Sequence, residues 1–104
     1  MVFEYEELRE AVREDFERFY QWGFHGNQIY PAVLDEYQHG TFSETEWICL
    51  HIFLVLNYAE KSLDNSDIIK ELQRQITKET ECEVKSALGN EYATYLADLN
   101  KIFK

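Results

Sequence analysis

One segment of this chain is apolar on every side, and the apolar positions around it recur at helical spacing. From Trp47 to Leu56, His51 is the one residue that is not apolar. A helix that is apolar all round lies inside a bundle, although a fully apolar run also suits a buried strand. Ser43 and Glu46 have the spacing of a capping box, which favours the helix. We therefore predict a buried central helix over residues 44–60.

Two amphipathic helices are predicted before the central helix. The first runs from about Phe3 to Trp22, and its inner face comprises Tyr5, Leu8, Val12, Phe16 and Phe19. The second runs from Asn27 to Gln38, with Asn27 as its cap and Pro31 in or near its first turn. Its inner face comprises Ile29, Tyr30, Val33, Leu34 and Tyr37.

The C-terminal part contains two apolar stripes that are out of phase with each other. The first comprises Ile69, Leu72 and Ile76, and the second comprises Val84, Leu88, Tyr92, Tyr95, Leu99 and Ile102. Because Thr80 and Glu83 have capping-box spacing, we predict a break near residues 78–81. Gly89 could mark another break, although the stripe passes through it in phase, so residues 66–103 form two or three helices. The fold class is all-α: one domain, residues 1–104, forming a compact bundle of four to six helices.

The sequence predicts a cytoplasmic protein. The central apolar run is too short to cross hydrocarbon, which takes about 20 residues. The N-terminus is acidic, whereas a secretory signal begins with basic residues. Two cysteines make no disulfide framework. We expect Cys49 to be buried and Cys82 to be exposed, and the sequence leaves their redox state open.

The charge of the chain favours a basic partner. The sequence has 20 acidic and 10 basic residues, a net charge of −10. Residues 1–46 carry a net charge of −8 and residues 47–104 a net charge of −2. Such a field repels nucleic acid and anionic membranes and speeds encounter with a basic protein. With 45% hydrophobic residues the chain is too apolar for a disordered acidic tail.

Signatures of catalysis are missing from the sequence. It has no glycine-rich phosphate loop, no His-Glu-x-x-His, no Cys-x-x-Cys and no nucleophile elbow. His51 could be a general base, but no nucleophile or orienting acid is fixed near it by spacing, so we expect a hydrogen-bonded core histidine. Adjacent carboxylates such as Asp35 and Glu36 do not face each other on a helix. We predict a protein that is not an enzyme and has no cofactor, metal or small-molecule substrate.

The acidic face of the first helix allows two interpretations. The helix dipole explains acids in the first turn, but Glu10, Glu14 and Glu17 lie beyond it. Like charges at i,i+4, as in Glu10 and Glu14, cost roughly 0.2–0.5 kcal/mol per pair. We expect partial relief from Arg13 paired with Glu17 and from Arg18 paired with Glu14. The face is either a solvated surface or a binding face for a basic partner.

Aromatic residues near this face supply candidate anchors for a protein partner. Tyr20, Trp22 and Phe24 are the aromatic residues of this region that we most expect at the surface. An exposed ring beside carboxylates suits an interface in which the ring fills a pocket and the acid pairs with lysine or arginine. The candidate partner-binding residues are Glu10, Glu14, Glu17, Tyr20, Trp22, Asp35 and Tyr37.

Three function classes fit these features. The chain could be a stoichiometric inhibitor that covers a basic active site such as that of a nuclease. It could be an acidic nucleic-acid mimic that occupies a DNA- or RNA-binding protein. It could also be a non-catalytic helical adaptor whose acidity serves solubility. A small, acidic, aromatic-rich domain without catalytic signatures favours the inhibitor.

Two segments resemble a family of small helical immunity proteins. These segments are Asn27–Tyr37 and Phe42–Cys49, and the resemblance, which covers residues 27–60 at most, lies in overall texture. Such proteins accompany bacterial polymorphic or contact-dependent growth inhibition toxins, often ribonucleases. The resemblance implies an inhibitor that neutralises a cognate basic toxin, such as a nuclease, without binding nucleic acid or membrane directly. It carries over no functional residue.

Overall fold

The computed structural model describes residues 4–38, 40 and 42–103, and the apolar stripes become the inner faces of helices. These described residues form six α-helices, with a single 3-10 turn before the last. In order they are α1 (Tyr5–Gln21), α2 (Gly26–Tyr37), α3 (Glu44–Glu60), α4 (Ser66–Gln75), α5 (Lys78–Leu88), the 3-10 turn (Gly89–Glu91) and α6 (Tyr92–Ile102). The described ranges contain no strand. The predicted all-α bundle is confirmed.

The central helix has the predicted bounds, and the other helices cover it. Ten of its residues are buried: Thr45, Ile48, Cys49, Leu50, His51, Ile52, Phe53, Leu54, Val55 and Tyr58. The Ser43 hydroxyl accepts the backbone N–H of Glu46 at 3.2 Å, and the Glu46 carboxylate accepts the N–H of Ser43 at 3.3 Å. Helices α1, α4, α5 and α6 pack against α3, and α2 packs against α1. The capping box therefore begins the helix that organises the core.

Helix α1 follows its prediction closely. The predicted first residue, Phe3, lies outside the described residues, and Tyr5 begins the described helix. On the predicted inner face Leu8 is half-buried, and the fully buried residues are Tyr5, Val12, Phe16 and Phe19. Gly23, at φ +90°, then turns the chain toward α2.

The start of α2 differs from its prediction in two respects. Asn27 is not the cap: His25 holds that position, and its N–H donates to the Gln28 side-chain oxygen at 2.9 Å. Pro31 lies in the second turn rather than in or near the first. Because Pro31 has no N–H, the carbonyl of Asn27, four residues earlier, lacks its helical hydrogen-bond donor. Asn27 is exposed, so water can satisfy that carbonyl.

A tyrosine of the central helix supports α2 just before this proline. The Tyr58 hydroxyl accepts the N–H of Tyr30 at 2.8 Å and donates to the carbonyl of Gly26. Gly26 and Tyr30 are the i and i+4 residues that a regular helical bond would join. A side chain placed between such groups is a recognised way to accommodate a local irregularity in a helix.

The C-terminal part contains three helices, which answers the question the sequence left open. The first break lies at Ile76–Thr77, earlier than the predicted 78–81. The predicted cap is wrong: Thr77, not Thr80, caps α5, and its hydroxyl accepts the N–H of Thr80 at 3.2 Å. The second break is at Gly89, where φ is +55°. Val84, Leu88, Tyr95 and Leu99 of the second stripe are nonetheless all buried.

The burial of the two cysteines matches the prediction. Cys49 is buried in the core, and Cys82 is exposed. In the described part of the chain, no helix combines the length and the apolar character needed to cross a membrane.

Candidate functional site

Three of the candidate acids form a line along the outside of α1. Glu10, Glu14 and Glu17 are spaced at i, i+4 and i+7, which places them on one side of the helix. Glu10 and Glu14 are exposed, and Glu17 is half-buried. We call these three residues the α1 ridge.

The ion pairs of the α1 ridge differ from the expected ones. Arg13 pairs with Glu10 instead of Glu17, and its hydrogen bond lowers the pKa of the Glu10 carboxyl. Arg18 pairs with Asp15 at 3.2 Å and with Glu36 at 2.6 Å, not with Glu14. Glu14 has no ion pair within residues 4–38, 40 and 42–103. The middle of the ridge therefore presents an acidic side chain without an ion-pair partner among those residues.

The end of the ridge meets a lysine from the end of α3. The Lys61 Nζ lies 3.0 Å from the Glu17 carboxylate and 4.9 Å from the centre of the Tyr20 ring. The side chains of Lys61 and Glu17 are 30% and 32% exposed. A partly exposed pair of this kind contributes little to stability. Lys61 does, however, lie near both Glu17 and Tyr20, so Tyr20 is next to the end of the ridge.

Two aromatic side chains are exposed at the C-terminal end of α1. Tyr20 is 41% exposed and Trp22 is 65% exposed, and no other large hydrophobic residue in the described part is exposed. Phe24, the third aromatic residue expected at the surface, is half-buried. Tyr20 stacks on Phe16 with ring centres 6.1 Å apart. Trp22 packs edge-on against Phe19 at 5.6 Å. Each exposed ring thus packs against a buried phenylalanine of α1.

Tyr20 and Trp22 lie on opposite flanks of the ridge. Residues that are two positions apart in an α-helix are separated by about 200° around the helix axis. Tyr20 consequently faces Lys61, whereas Trp22 lies on the side of Arg18, whose guanidinium carbon is 5.7 Å from the Trp22 ring centre. A partner that meets the C-terminal end of α1 encounters Glu17 and, just beyond it, one exposed ring toward each flank.

The two candidates on α2 have different surroundings. Tyr37 is half-buried, and its hydroxyl donates a 2.7 Å hydrogen bond to Asp15 on α1. Burial, followed by that bond, raises the pKa of Tyr37. Asp35 is exposed and has no ion pair with any described residue. The structure therefore places four of the seven candidates on α1 and Trp22 directly after its last residue. It joins Tyr37 to that helix through Asp15 and leaves Asp35 on the outside of α2.

His51 is a hydrogen-bonded core histidine, as predicted. Its Nδ1 lies 2.8 Å from the carbonyl oxygen of Trp47, which can only accept, so Nδ1 carries the proton. Its Nε2 then accepts the hydroxyl of Tyr30 at 2.9 Å. Burial lowers the pKa of His51. Both ring nitrogens are occupied, and the residue is 1% exposed.

The sequence prediction missed a buried carboxylate, Asp98. It accepts the Tyr5 hydroxyl at 2.7 Å and an Arg9 guanidinium nitrogen at 2.5 Å. Asp98 is 2% exposed. The available signal was its position three residues after Tyr95, which places both on one helix face. Because Tyr5 and Arg9 of α1 both bond Asp98 of α6, these contacts join the first and last helices.

The described residues contain no group of three or more His, Cys, Asp and Glu side chains that could hold a metal ion. Glu10 and Glu14 of the α1 ridge are exposed, and the buried His51 and Asp98 have protein partners. Carboxylates next to exposed rings are suited to contact with lysine and arginine side chains.

No protein-family model matches this chain, and neither a curated protein nor a solved structure does so. Inference about its function therefore rests on its own surface.

Proposed function

We propose that this chain is an immunity protein, a stoichiometric inhibitor that binds and neutralises a cognate basic toxin in the cytoplasm. The toxin is a nuclease, such as a ribonuclease, of a polymorphic or contact-dependent growth inhibition system. The inhibitor needs no cofactor and binds neither nucleic acid nor membrane itself. The interface comprises the α1 ridge, Tyr20 and Trp22, with Asp35 and Tyr37 of α2 at its edge.

One observation carries the proposal: Tyr20 and Trp22, the large hydrophobic residues exposed in the described part, lie just beyond the C-terminal end of the acidic α1 ridge, one toward each flank. Hot spots of protein interfaces are enriched in tryptophan and tyrosine. The exposed area of these two rings does not stabilise the fold, because it is not removed from water when the chain folds. Their position next to Glu17 at the end of the ridge gives the surface both apolar anchors and charge.

The charge of the chain suits a nuclease as the partner. Nuclease sites hold phosphate with basic side chains, and a domain of net charge −10 is complementary to them. Electrostatic steering raises association rates to 10⁸ M⁻¹s⁻¹ or above at low salt, from about 10⁵–10⁶ for neutral surfaces. Fast capture is valuable to an inhibitor, because a toxin must be neutralised before it turns over substrate.

The test is a pull-down of the product of the gene immediately upstream with this domain, in 0.1 M and in 0.5 M salt. We expect one-to-one binding, slower association at the higher salt and loss of the partner's toxicity. Absence of binding at both salt concentrations would contradict the pairing with a toxin.

The alternative is a non-catalytic adaptor or an acidic mimic that binds a DNA- or RNA-binding protein. Capture of such a protein from lysate, with competition by DNA or RNA, would establish the mimic. The concentration of charge in residues 1–46, a net −8, favours the inhibitor, because a mimic spreads its acids over several helices.

A further inference from the structure

An open groove of about 650 Å³ lies where the start of α3 meets the bend between α4 and α5. Residues before and within α3 form one wall, and residues from the end of α4 to α5 form the other. The volume is in the range of about 300–1,000 Å³ that ligand sites occupy. None of the α1 residues lines this groove. It is thus a second surface, separate from the α1 ridge.

Aromatic side chains form one wall of the groove. Trp47 is half-buried and packs edge-on against Phe42, with ring centres 6.0 Å apart. The Trp47 ring also packs edge-on against His51, with ring centres 5.7 Å apart. These two contacts hold the tryptophan ring in place. Trp47 is one of the residues that line the groove.

The charge of the groove is negative. Glu44, Glu79 and Glu83 line it and are exposed. The single basic side chain in the lining is Arg74, whose guanidinium bonds the Glu71 carboxylate, with Nε at 3.0 Å. That cation is already compensated, whereas none of the three groove carboxylates has an ion pair within the described residues. The groove therefore favours a cationic occupant.

We infer that this groove docks an extended segment of a partner protein that presents arginine or lysine side chains. A guanidinium or ammonium group placed over the Trp47 face gains a cation–π interaction. On the opposite wall, Glu79 and Glu83 provide negative charge complementary to that cation. The groove is larger than one side chain needs, which suits a segment rather than a single cation. The inference goes beyond the proposed function, because its surface shares no residue with the α1 ridge.

The test is an NMR titration of the ¹⁵N-labelled chain with an acetylated and amidated peptide, Gly-Arg-Gly-Arg-Gly-Arg, at low salt. We expect the backbone amide shifts to change mainly in residues 42–48 and 74–83. A peptide in which glutamate replaces each arginine should cause no change. Shifts concentrated on α1, or spread evenly over every acidic helix, would overturn the inference.

Matched charge reversals separate specific docking from general attraction. The pair Glu79→Lys and Glu83→Lys should weaken peptide binding about tenfold or more. The pair Glu60→Lys and Asp67→Lys changes the net charge equally at exposed positions outside the groove, and it should weaken binding about twofold or less. Equal weakening by both pairs would overturn the inference.

A second variant covers the case in which the lysines disturb α5. Glu79→Gln with Glu83→Gln removes the charge without adding repulsion and should weaken binding about threefold, while the far-ultraviolet circular dichroism stays unchanged. If the glutamines bind the peptide as tightly as the original chain does, charge does not hold the occupant, and the inference fails.

Two further results would identify other occupants and thereby overturn the inference. Free arginine amide that binds as tightly as the peptide would make the groove a site for a small cation. Amide shifts in residues 42–48 and 74–83 that change with protein concentration alone would make the occupant a second copy of the chain.

Discussion

The Tyr5 hydroxyl donates a 2.7 Å hydrogen bond to the Asp98 carboxylate and so joins the first helix of the bundle to the last. An Arg9 nitrogen lies 2.5 Å from the same oxygen, and Lys101 Nζ lies 3.5 Å from the other. A buried carboxylate is costly unless hydrogen bonds and charge compensate it. Here hydrogen bonds and positive charge both compensate the Asp98 carboxylate, and the bond from Tyr5 connects residues 93 positions apart.

We expect Asp98→Ala to lower the free energy of unfolding by about 3 kcal/mol, because it leaves the buried Tyr5 hydroxyl and Arg9 without their acceptor. Lys101→Ala is the control: its side chain is 65% exposed, so the loss should be below about 0.5 kcal/mol. Urea unfolding measures both values. Similar losses for the two variants would show that Asp98 does not join the helices.

Gly89→Ala should destabilise the fold by about 1–2 kcal/mol. Gly89 has φ +55°, and a side chain there is strained even though an added Cβ has no atom within 4 Å. Gly40→Ala is the matched control, since Gly40 is also open to solvent and its φ lies outside the positive region. Thermal unfolding should show a lower melting temperature for Gly89→Ala alone. Unchanged stability would mean that the turn before α6 tolerates a side chain.

His51 should make the fold less stable in mild acid. Burial holds its pKa in the folded state below the ordinary value of 6.5. As the pH falls below 6.5, the unfolded chain binds a proton that the folded chain resists, so stability is full above that pH and is lost below it. The slope is at most about 1.4 kcal/mol per pH unit.

His51→Gln tests this because it removes the titrating ring. Unfolding free energies between pH 7.5 and pH 5 should fall less steeply for the variant than for the original chain. His25 and His39 are present in both proteins, so the comparison isolates His51. Identical slopes would indicate that another group causes the acid sensitivity.

The sequence predicts best those elements whose signals are local. The bounds of α3 follow from an apolar run and a capping box a few residues apart. The start of α5 was misplaced because Thr77 and Thr80 each stand three residues before another polar side chain that could complete a cap. The structure selects Thr77, and the Thr80 hydroxyl instead donates to the Gln75 carbonyl at 3.1 Å.

Contacts between distant residues could not be predicted in the same way. Burial of Asp98 depends on Tyr5 and Arg9, and no local pattern near residue 98 contains them. On the surface, the exposure of Tyr20 and Trp22 was predicted from their position at the edge of the apolar stripe. The groove beside Trp47 was not predicted, because α3, α4 and α5 form it together.

Glu10→Lys with Glu14→Lys should leave the fold intact and weaken binding of the cognate toxin strongly. Both side chains are exposed, and a reversal of charge replaces attraction to a basic surface with repulsion. Surface plasmon resonance at 0.1 M salt should show a slower association rate. Unchanged affinity would move the interface away from α1.

The control for this pair is a comparison of single reversals. Glu14→Lys and Asp67→Lys both exchange an exposed helical acid for lysine and change the net charge equally. Only Glu14 lies on the α1 ridge, so Glu14→Lys should slow association more. Equal slowing would mean that the total charge, and not the ridge, steers the partner.

Trp22→Ala should act on dissociation of the toxin instead of its association. Truncation of a central aromatic residue in an interface costs about 2 kcal/mol or more, roughly a thirtyfold faster dissociation. Because Trp22 is 65% exposed, the free energy of unfolding should change by less than about 1 kcal/mol.

Gln21→Ala is the matched control for Trp22→Ala, since Gln21 is its exposed neighbour, the last residue of α1, and carries no ring. It should leave the dissociation rate unchanged. If the two variants dissociate alike, Trp22 is not an anchor, and Tyr20→Ala becomes the deciding measurement. If Tyr20→Ala is silent as well, the exposed rings do not form the interface, and a basic partner would bind through charge alone. Complex formation would then disappear at 0.5 M salt, because screening weakens exposed charge pairs far more than it weakens a buried ring.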